Sequence, residues 1–259
     1  MTPQQAWATG DFSRVGASLV MAGEFLCEAV RLHAGERVLD VATGAGNTAL
    51  SAARRACDVV GVDFVPALLE RARERALAER FKHVTFEEGD AQALPFPDDS
   101  FDVVLSTFGH MFAPDHAKAA SEMARVARPG GRVGFACWTP SGFTAGMFRV
   151  NAKYNPPPPG TAPPSMWGDE AVVRERMAPY AREFRFERRE HVFRARTAED
   201  WLAFMREYFG PMRVAWEKLD QSRREAMTQD LLALLAEFNQ SGDQTLFVPS
   251  EYLISVIER

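Results

Sequence analysis

An apolar run that ends in an acid and then opens into a small-residue loop constrains this chain most: Val38-Leu39-Asp40-Val41-Ala42-Thr43-Gly44-Ala45-Gly46-Asn47. The loop leads into a helix-forming run, Thr48 to Arg55. Glycines let backbone approach a ligand where a Cβ would clash, and the start of the following helix offers free N–H groups. A strand, loop and helix in this order build a nucleotide-sized site at the carboxyl end of a parallel strand. Asp40 narrows the reading. Its carboxylate would repel a pyrophosphate but suits a ligand that carries an ammonium group. The loop therefore reads as a site for an amino-acid-bearing nucleoside before it reads as a dinucleotide site.

The rhythm around the loop points the same way. Arg37–Val41, Asp58–Val62, Val84–Glu87, Asp102–Ser106 and Arg132–Cys137 read as strands. Helical stretches alternate with them: Asn47–Ala56, Pro66–Arg80 with proline near its first turn, and Pro114–Ala127, stopped by Pro129-Gly130-Gly131. This alternation predicts right-handed crossovers and a doubly wound parallel sheet with helices on both faces. After Trp138 the pattern changes. Residues 139–168, with Pro156–Gly160 and Pro163-Pro164, read as a stiff extended segment rather than a helix or strand. Glu183–Arg196 reads as a half-exposed strand, and 197–208 and 212–239 as helices, the second with Leu219, Met227, Leu231, Leu234, Leu235 and Phe238 on one face. Tyr252, Ile254 and Val256 form a last strand, antiparallel to Phe184–Phe193 at the sheet edge.

The expected organisation is one domain over 1–259. It comprises an amino-terminal lid at 1–36, a binding core at 37–138, cap inserts at 139–182 and 197–240, and edge strands at 183–196 and 244–258. A net charge of −5 gives no long-range reason to expect a nucleic-acid partner. Cys27, Cys57 and Cys137 are odd in number and widely spaced, which argues against a disulfide framework or a zinc site and for a reducing compartment. Asp11, Arg14 and Glu24 interrupt any signal-peptide core, and no apolar run approaches a membrane span. The expectation is a cytoplasmic protein without a metal.

Further chemistry falls at successive strand ends. Asp63 closes Val59-Val60-Gly61-Val62-Asp63, where a carboxylate accepts from two vicinal ribose hydroxyls. In Gly89-Asp90-Ala91, Asp90 is placed to accept from an exocyclic adenine amine while the neighbouring N–H meets a ring nitrogen. The strand Phe101 to Phe108 ends facing the reacting centre. Taken singly, Asp63 or Asp90 suits a turn or a cap, and Gly44-x-Gly46-x-x-Ala49 is a weak signal. In this order they describe one ligand site.

Four motifs carry a family resemblance: Asp40-Val-Ala-Thr-Gly-Ala-Gly46, Gly61-Val-Asp63, Gly89-Asp-Ala-Gln-Ala-Leu-Pro-Phe-Pro97 and Arg128-Pro-Gly-Gly-Arg132. Over Arg37–Trp138 the chain resembles class I S-adenosylmethionine-dependent methyltransferases, near the ubiquinone and menaquinone biosynthesis branch. The family's first motif has glycine where Ala42 stands, a departure shared by that branch. Trp7–Phe12, Pro156–Gly160 and Trp167-Gly-Asp169 resemble a bacterial group of mostly unassigned substrate. The resemblance implies a seven-stranded, mostly parallel Rossmann-like sheet with one antiparallel edge strand and a helical cap. It also implies S-adenosyl-L-methionine as cofactor and S-adenosyl-L-homocysteine as product. It places Asp40, Thr43, Gly44 and Gly46 at the methionine end, Asp63 on the ribose, and Phe64, Asp90 and Ala91 at the adenine. Ser106, with its backbone carbonyl, falls near the methionine amine and Phe108 near the transfer centre.

The implied reaction is methyl transfer to an O, N or C nucleophile of a small molecule by in-line displacement. The protein's part is alignment and removal of water. His110 is the candidate general base, with an ordinary loop role as the alternative. His116 and Asp115 read as surface and cap residues, and His191 as solvent-facing. Tyr154, Trp138, Trp167, Met111, Met147 and Met166 suit either an apolar acceptor pocket or cap-to-core packing. Trp7, Phe12 and Arg14 suit a lid, Arg185–Arg196 a solvated sheet face, and the 212–239 helix a cap contact or a homodimer interface. The alternatives are an NAD(P)-dependent oxidoreductase and a catalytically silent S-adenosylmethionine-binding protein. Against the first stand Asp40 and the absence of a Tyr-x-x-x-Lys set. Nucleic-acid methylation is disfavoured by the acidic balance and by Ser106-Thr107-Phe108-Gly109 standing where an Asn/Asp-Pro-Pro-Tyr sequence would.

Overall fold

The computed structural model describes residues 2–259; Met1, the first residue of the expected lid, lies outside them. Three helices precede the sheet: α1 (Pro3–Ala8), α2 (Phe12–Gly16) and α3 (Val20–Ala29). The core then alternates β1 (Arg37–Val41), α4 (Asn47–Arg54), β2 (Asp58–Asp63), α5 (Pro66–Ala78), β3 (Val84–Glu88), β4 (Phe101–Thr107), α6 (His116–Val126) and β5 (Ala127–Trp138). It continues through α7 (Phe143–Tyr154), α8 (Glu170–Met177), β6 (Glu183–Ala195), α9 (Ala198–Tyr208), α10 (Gly210–Glu217), α11 (Gln221–Phe238) and β7 (Leu246–Glu258).

The sheet has seven strands in the order β3-β2-β1-β4-β5-β7-β6. Strands β1 to β5 pair in parallel, while β7 runs antiparallel to both β5 and β6. The antiparallel strand therefore lies one place in from the edge, with β6 outside it. Strand order reverses between β1 and β4, which places the ligand crevice beyond the carboxyl ends of these two strands. β4 is apolar throughout its centre because both its faces are covered: Val103, Val104 and Leu105 are fully buried. Small residues let α4 pack close to the sheet, where Ala49, Leu50, Ala52 and Ala53 are buried. On its outer side Arg54 and Arg55 pair with Glu24 and Glu28 of α3. The carboxylate of Asp115 caps α6 by accepting from the Lys118 N–H at 2.9 Å.

Three expectations need correction after Trp138. The stretch read as extended contains α7, whose Phe143, Ala145 and Met147 face the core ahead of the prolines. The prolines break the chain only after Tyr154. Helix α8, capped by Asp169 at the N–H groups of Ala171 and Val172, was not foreseen. The single helix read over 212–239 is two, α10 and α11, because Asp220 leaves the helical region and caps α11 through the Arg223 N–H. The apolar side of α11 (Met227, Leu231, Leu235) is buried within the chain, where α11 packs on α7 and α9.

Candidate active site

A cavity of about 450 Å³ opens at the carboxyl ends of β1, β2 and β4, roofed by the amino-terminal helices. Its floor is the loop after β1. Gly44 and Gly46 both adopt left-handed backbone, as does the non-glycine Ala42 at φ +54°, a conformation that costs a residue with a Cβ about 1–2 kcal/mol. The Ala42 methyl is accommodated by Gly109, where a Cβ would fall 2.5 Å from the Ala42 Cβ and 2.7 Å from its carbonyl oxygen. The glycine missing from the first motif is thus matched by one across the cavity floor.

Asp40 is buried beneath the loop. Its Oδ2 accepts from Thr43 Oγ1 at 2.6 Å and from the Ala49 N–H at 3.0 Å, so it also closes the first turn of α4. Its Oδ1 is buried without a partner. Burial pushes the carboxyl up to about 7, against the opposing pull of the Thr43 and Ala49 donors. A buried, unpaired acceptor bordering a cavity is costly unless a donor arrives, and a cationic donor such as an amino-acid ammonium fits it best. Asp63 plays a second bracing role. One oxygen accepts the Gly44 N–H at 2.8 Å and the other the Val65 N–H at 2.9 Å. Burial raises its pKa while these N–H donors oppose the rise. Each oxygen keeps a further lone pair for a ligand hydroxyl.

Of the cofactor residues expected from sequence, Asp40, Thr43, Gly44, Asp63, Phe64, Asp90, Ala91 and Phe108 border the cavity. Asp90 is exposed at the mouth, its carboxylate turned back to accept from the Gln92 N–H at 2.8 Å. Gly46 does not border the cavity: its missing Cβ points at Ala72 and Phe86, so it serves helix and strand packing. Ser106 is enclosed, its Oγ donating to the Val41 carbonyl at 2.7 Å and accepting from the His110 N–H at 3.1 Å. Thr107, one residue on, borders the cavity instead, its hydroxyl 2.7 Å from that of Thr48. Alternation along β4 turns these two side chains to opposite faces.

The histidines are placed differently from expectation. His110 adjoins the cavity, yet it has no exposed surface. Its ring packs on Phe135 and Trp167 and lies 3.8 Å from Cys137 Sγ, and burial drives its pKa down to about 3. His116 is buried rather than at the surface, also against Trp167, with a pKa lowered to about 4 by burial and by Arg176. His191 is half-buried rather than solvent-facing, against Trp138 and Phe193. Trp167, Met111, Met147 and Trp138 are core residues, which is the packing alternative for that set. Apolar lining comes from the amino-terminal segment: Trp7, Phe12 and Leu19, with Phe112 opposite. Leu19, Phe112 and Gln4, which donates to the Phe64 carbonyl at 2.5 Å, were not singled out from sequence; a short apolar helix carries little periodic signal. Among the described residues no group of three His, Cys, Asp or Glu could hold a metal.

Comparison with known proteins meets this geometry. The pattern of the family described as a methyltransferase domain matches residues 38–131. An uncharacterized protein of Mycobacterium tuberculosis is 35% identical over 88% of this chain and 84% of its own length. The chain belongs to the class I S-adenosylmethionine-dependent methyltransferases. A second uncharacterized M. tuberculosis protein is 45% identical over 66% of the chain, and the match spans 63% of that relative's length. The demethylmenaquinone methyltransferase of Deinococcus radiodurans is 44% identical over 46% of the chain and 50% of its own length. The YcgJ protein of Bacillus subtilis shares the fold at a TM-score of 0.63 and 21% identity, over 92% of this chain and 98% of that one. No helix among the described residues is long and apolar enough to cross a membrane.

Proposed function

We propose that this methyltransferase-family chain is a working enzyme that binds S-adenosylmethionine at the loop after β1 and methylates a small molecule. The observation that carries the reading is the unpaired Oδ1 of Asp40, buried beside the cavity. It fits the cofactor's ammonium, and Asp63, anchored by Gly44 and Val65, fits its ribose hydroxyls. Asp90, Ala91 and Phe64 border the adenine end of this arrangement. When bound, the cofactor supplies an already activated methyl group. The chain's residues fix the loop, hold the two buried carboxylates in place and exclude water, which is where alignment gains its rate advantage.

His110 is not used as a base in this reading. A general base must reach the proton it removes, and the His110 ring is enclosed by Phe135, Trp167 and Cys137. The apolar side of α11 is spent on α7 and α9, so this helix face supplies no dimer surface in this reading. The three buried free thiols, Cys27, Cys57 and Cys137, support a reducing, cytoplasmic setting. Calorimetric titration with S-adenosylhomocysteine tests the reading. Stoichiometric binding that is lost in Asp63→Ala supports it, and absence of binding to the intact chain overturns it.

A further inference from the structure

The cavity divides by charge and by surface. Every acidic or basic side chain on its wall other than His110 is a carboxylic acid: Asp40 and Asp63 deep within, and Glu88 and Asp90 near the mouth. Among the described residues bordering it, none is lysine or arginine. Once these acids and their neighbours are assigned to the cofactor, the remaining wall lies between the amino-terminal helices and the loop after β4. Its large apolar members are Trp7, Phe12, Leu19, Phe108 and Phe112, and its polar members, Thr2, Gln4, Thr107 and His110, include no carboxylate, lysine or arginine.

These rings are held, not loose. Trp7 meets Phe12 edge-on at 5.4 Å, Phe112 at 5.0 Å and Phe209 of the α9–α10 turn at 5.4 Å. Phe108 stacks on Trp138 at 4.0 Å with an interplanar angle of 3°. Its backbone is in the left-handed region at φ +59°, a conformation that persists only where its surroundings impose it. Such a compartment rewards apolar surface. The wall itself offers an anion no lysine or arginine to replace the water it sheds, which is penalised.

We infer that the methyl acceptor is an uncharged, apolar small molecule held by Trp7, Phe12, Leu19, Phe108 and Phe112, and that anionic acceptors are rejected. The inference rests on the cofactor reading above, because that reading assigns the acids to the other half of the cavity. It makes Leu19 a specificity-determining residue: it borders the cavity and is not one of the rings in contact there, so a charge there alters the compartment without removing a ring from the cluster.

The test is calorimetry on the intact chain saturated with S-adenosylhomocysteine, using para-chlorophenol and para-chlorobenzoate, matched in ring but opposite in charge state at neutral pH. The phenol should bind at least about tenfold more tightly than the benzoate. Leu19→Arg should narrow or reverse that ratio, and Phe112→Ala should weaken the phenol while leaving S-adenosylhomocysteine affinity within about twofold. A benzoate that binds as well as the phenol to the unaltered chain overturns the inference, as does failure of both to bind to the loaded protein. Failure of S-adenosylhomocysteine itself to bind is a separate result and removes the cofactor reading instead. The wild-type comparison decides the matter even if Leu19→Arg does not fold.

Discussion

The carboxylate of Asp63 accepts the Gly44 N–H at 2.8 Å, tying the end of β2 to the loop that follows β1. The residue that ends one strand therefore shapes the turn after its neighbour. Removing it should act on the loop as well as on a ligand. Asp63→Ala leaves the Gly44 and Val65 N–H groups without their acceptor, a loss of about 1–3 kcal/mol. Urea unfolding should register that loss, and S-adenosylhomocysteine affinity should fall by more than tenfold. Asp63→Asn keeps one acceptor oxygen but turns its NH2 group toward the other N–H, so it should recover only part of the stability and less of the affinity.

Asp40 predicts a pH dependence of binding. Its carboxyl, raised to about 7 by burial, must be ionised to receive an ammonium. Below about pH 7 binding then releases a proton, and affinity falls by up to about tenfold per unit. Affinity for S-adenosylhomocysteine measured from pH 8 to 5.5 should show that slope, and Asp40→Asn should flatten it. For the free protein the sign is opposite. The folded carboxyl holds its proton up to about 7 and the unfolded one only to about 4, so this group's contribution to stability is lost as pH rises between those values.

The histidines act the other way. His110 is lowered to about 3, and His116 and His191 to about 4, chiefly by burial. An unfolded histidine takes up a proton near 6.5 and the folded ones do not, so their contribution to stability is lost as pH falls through the window from about 6.5 to 4. His116→Gln should show a shallower decline of the urea midpoint between pH 7 and 5 than the unaltered chain. An equal slope in both would mean His116 is protonated in the folded state.

Gly210 joins the amino-terminal helices to the cap. A Cβ there would lie 2.2 Å from the Ala6 carbonyl oxygen, and beside it Arg213 donates to the Thr9 carbonyl at 3.1 Å. Gly210→Ala should lift α1 from α10, speed limited proteolysis within residues 2–16 and weaken S-adenosylhomocysteine binding. The sheet, far from the contact, should keep its circular dichroism.

Much of this was legible in the chain. Asp40, Asp63 and the glycine loop announce themselves because a strand end, an acid and a left-handed turn must fall together for the crossover to work. What spacing cannot convey is side-chain direction. His110 follows β4 closely enough to look like a base, but its ring turns into the core toward Trp167 rather than toward the cavity. The Ser106 hydroxyl is enclosed and the Thr107 hydroxyl borders the cavity for the same reason, by one step of strand alternation. Helix α7 was hidden by the prolines that follow it, whose disruption does not reach back past Tyr154. The acceptor wall was missed in part because it is assembled from short helices near the amino terminus and a loop about a hundred residues later, and no local pattern joins Leu19 to Phe112.

The unpaired Asp40 oxygen and the glycine loop above it make the turn after β1 a fit for an amino-acid-bearing nucleoside. Parallel titrations of the intact chain with S-adenosylhomocysteine and with NADH test it most directly. Saturable one-to-one binding of S-adenosylhomocysteine that weakens below pH 7, with no response to NADH, is the predicted result. Tight NADH binding with no response to S-adenosylhomocysteine would contradict it.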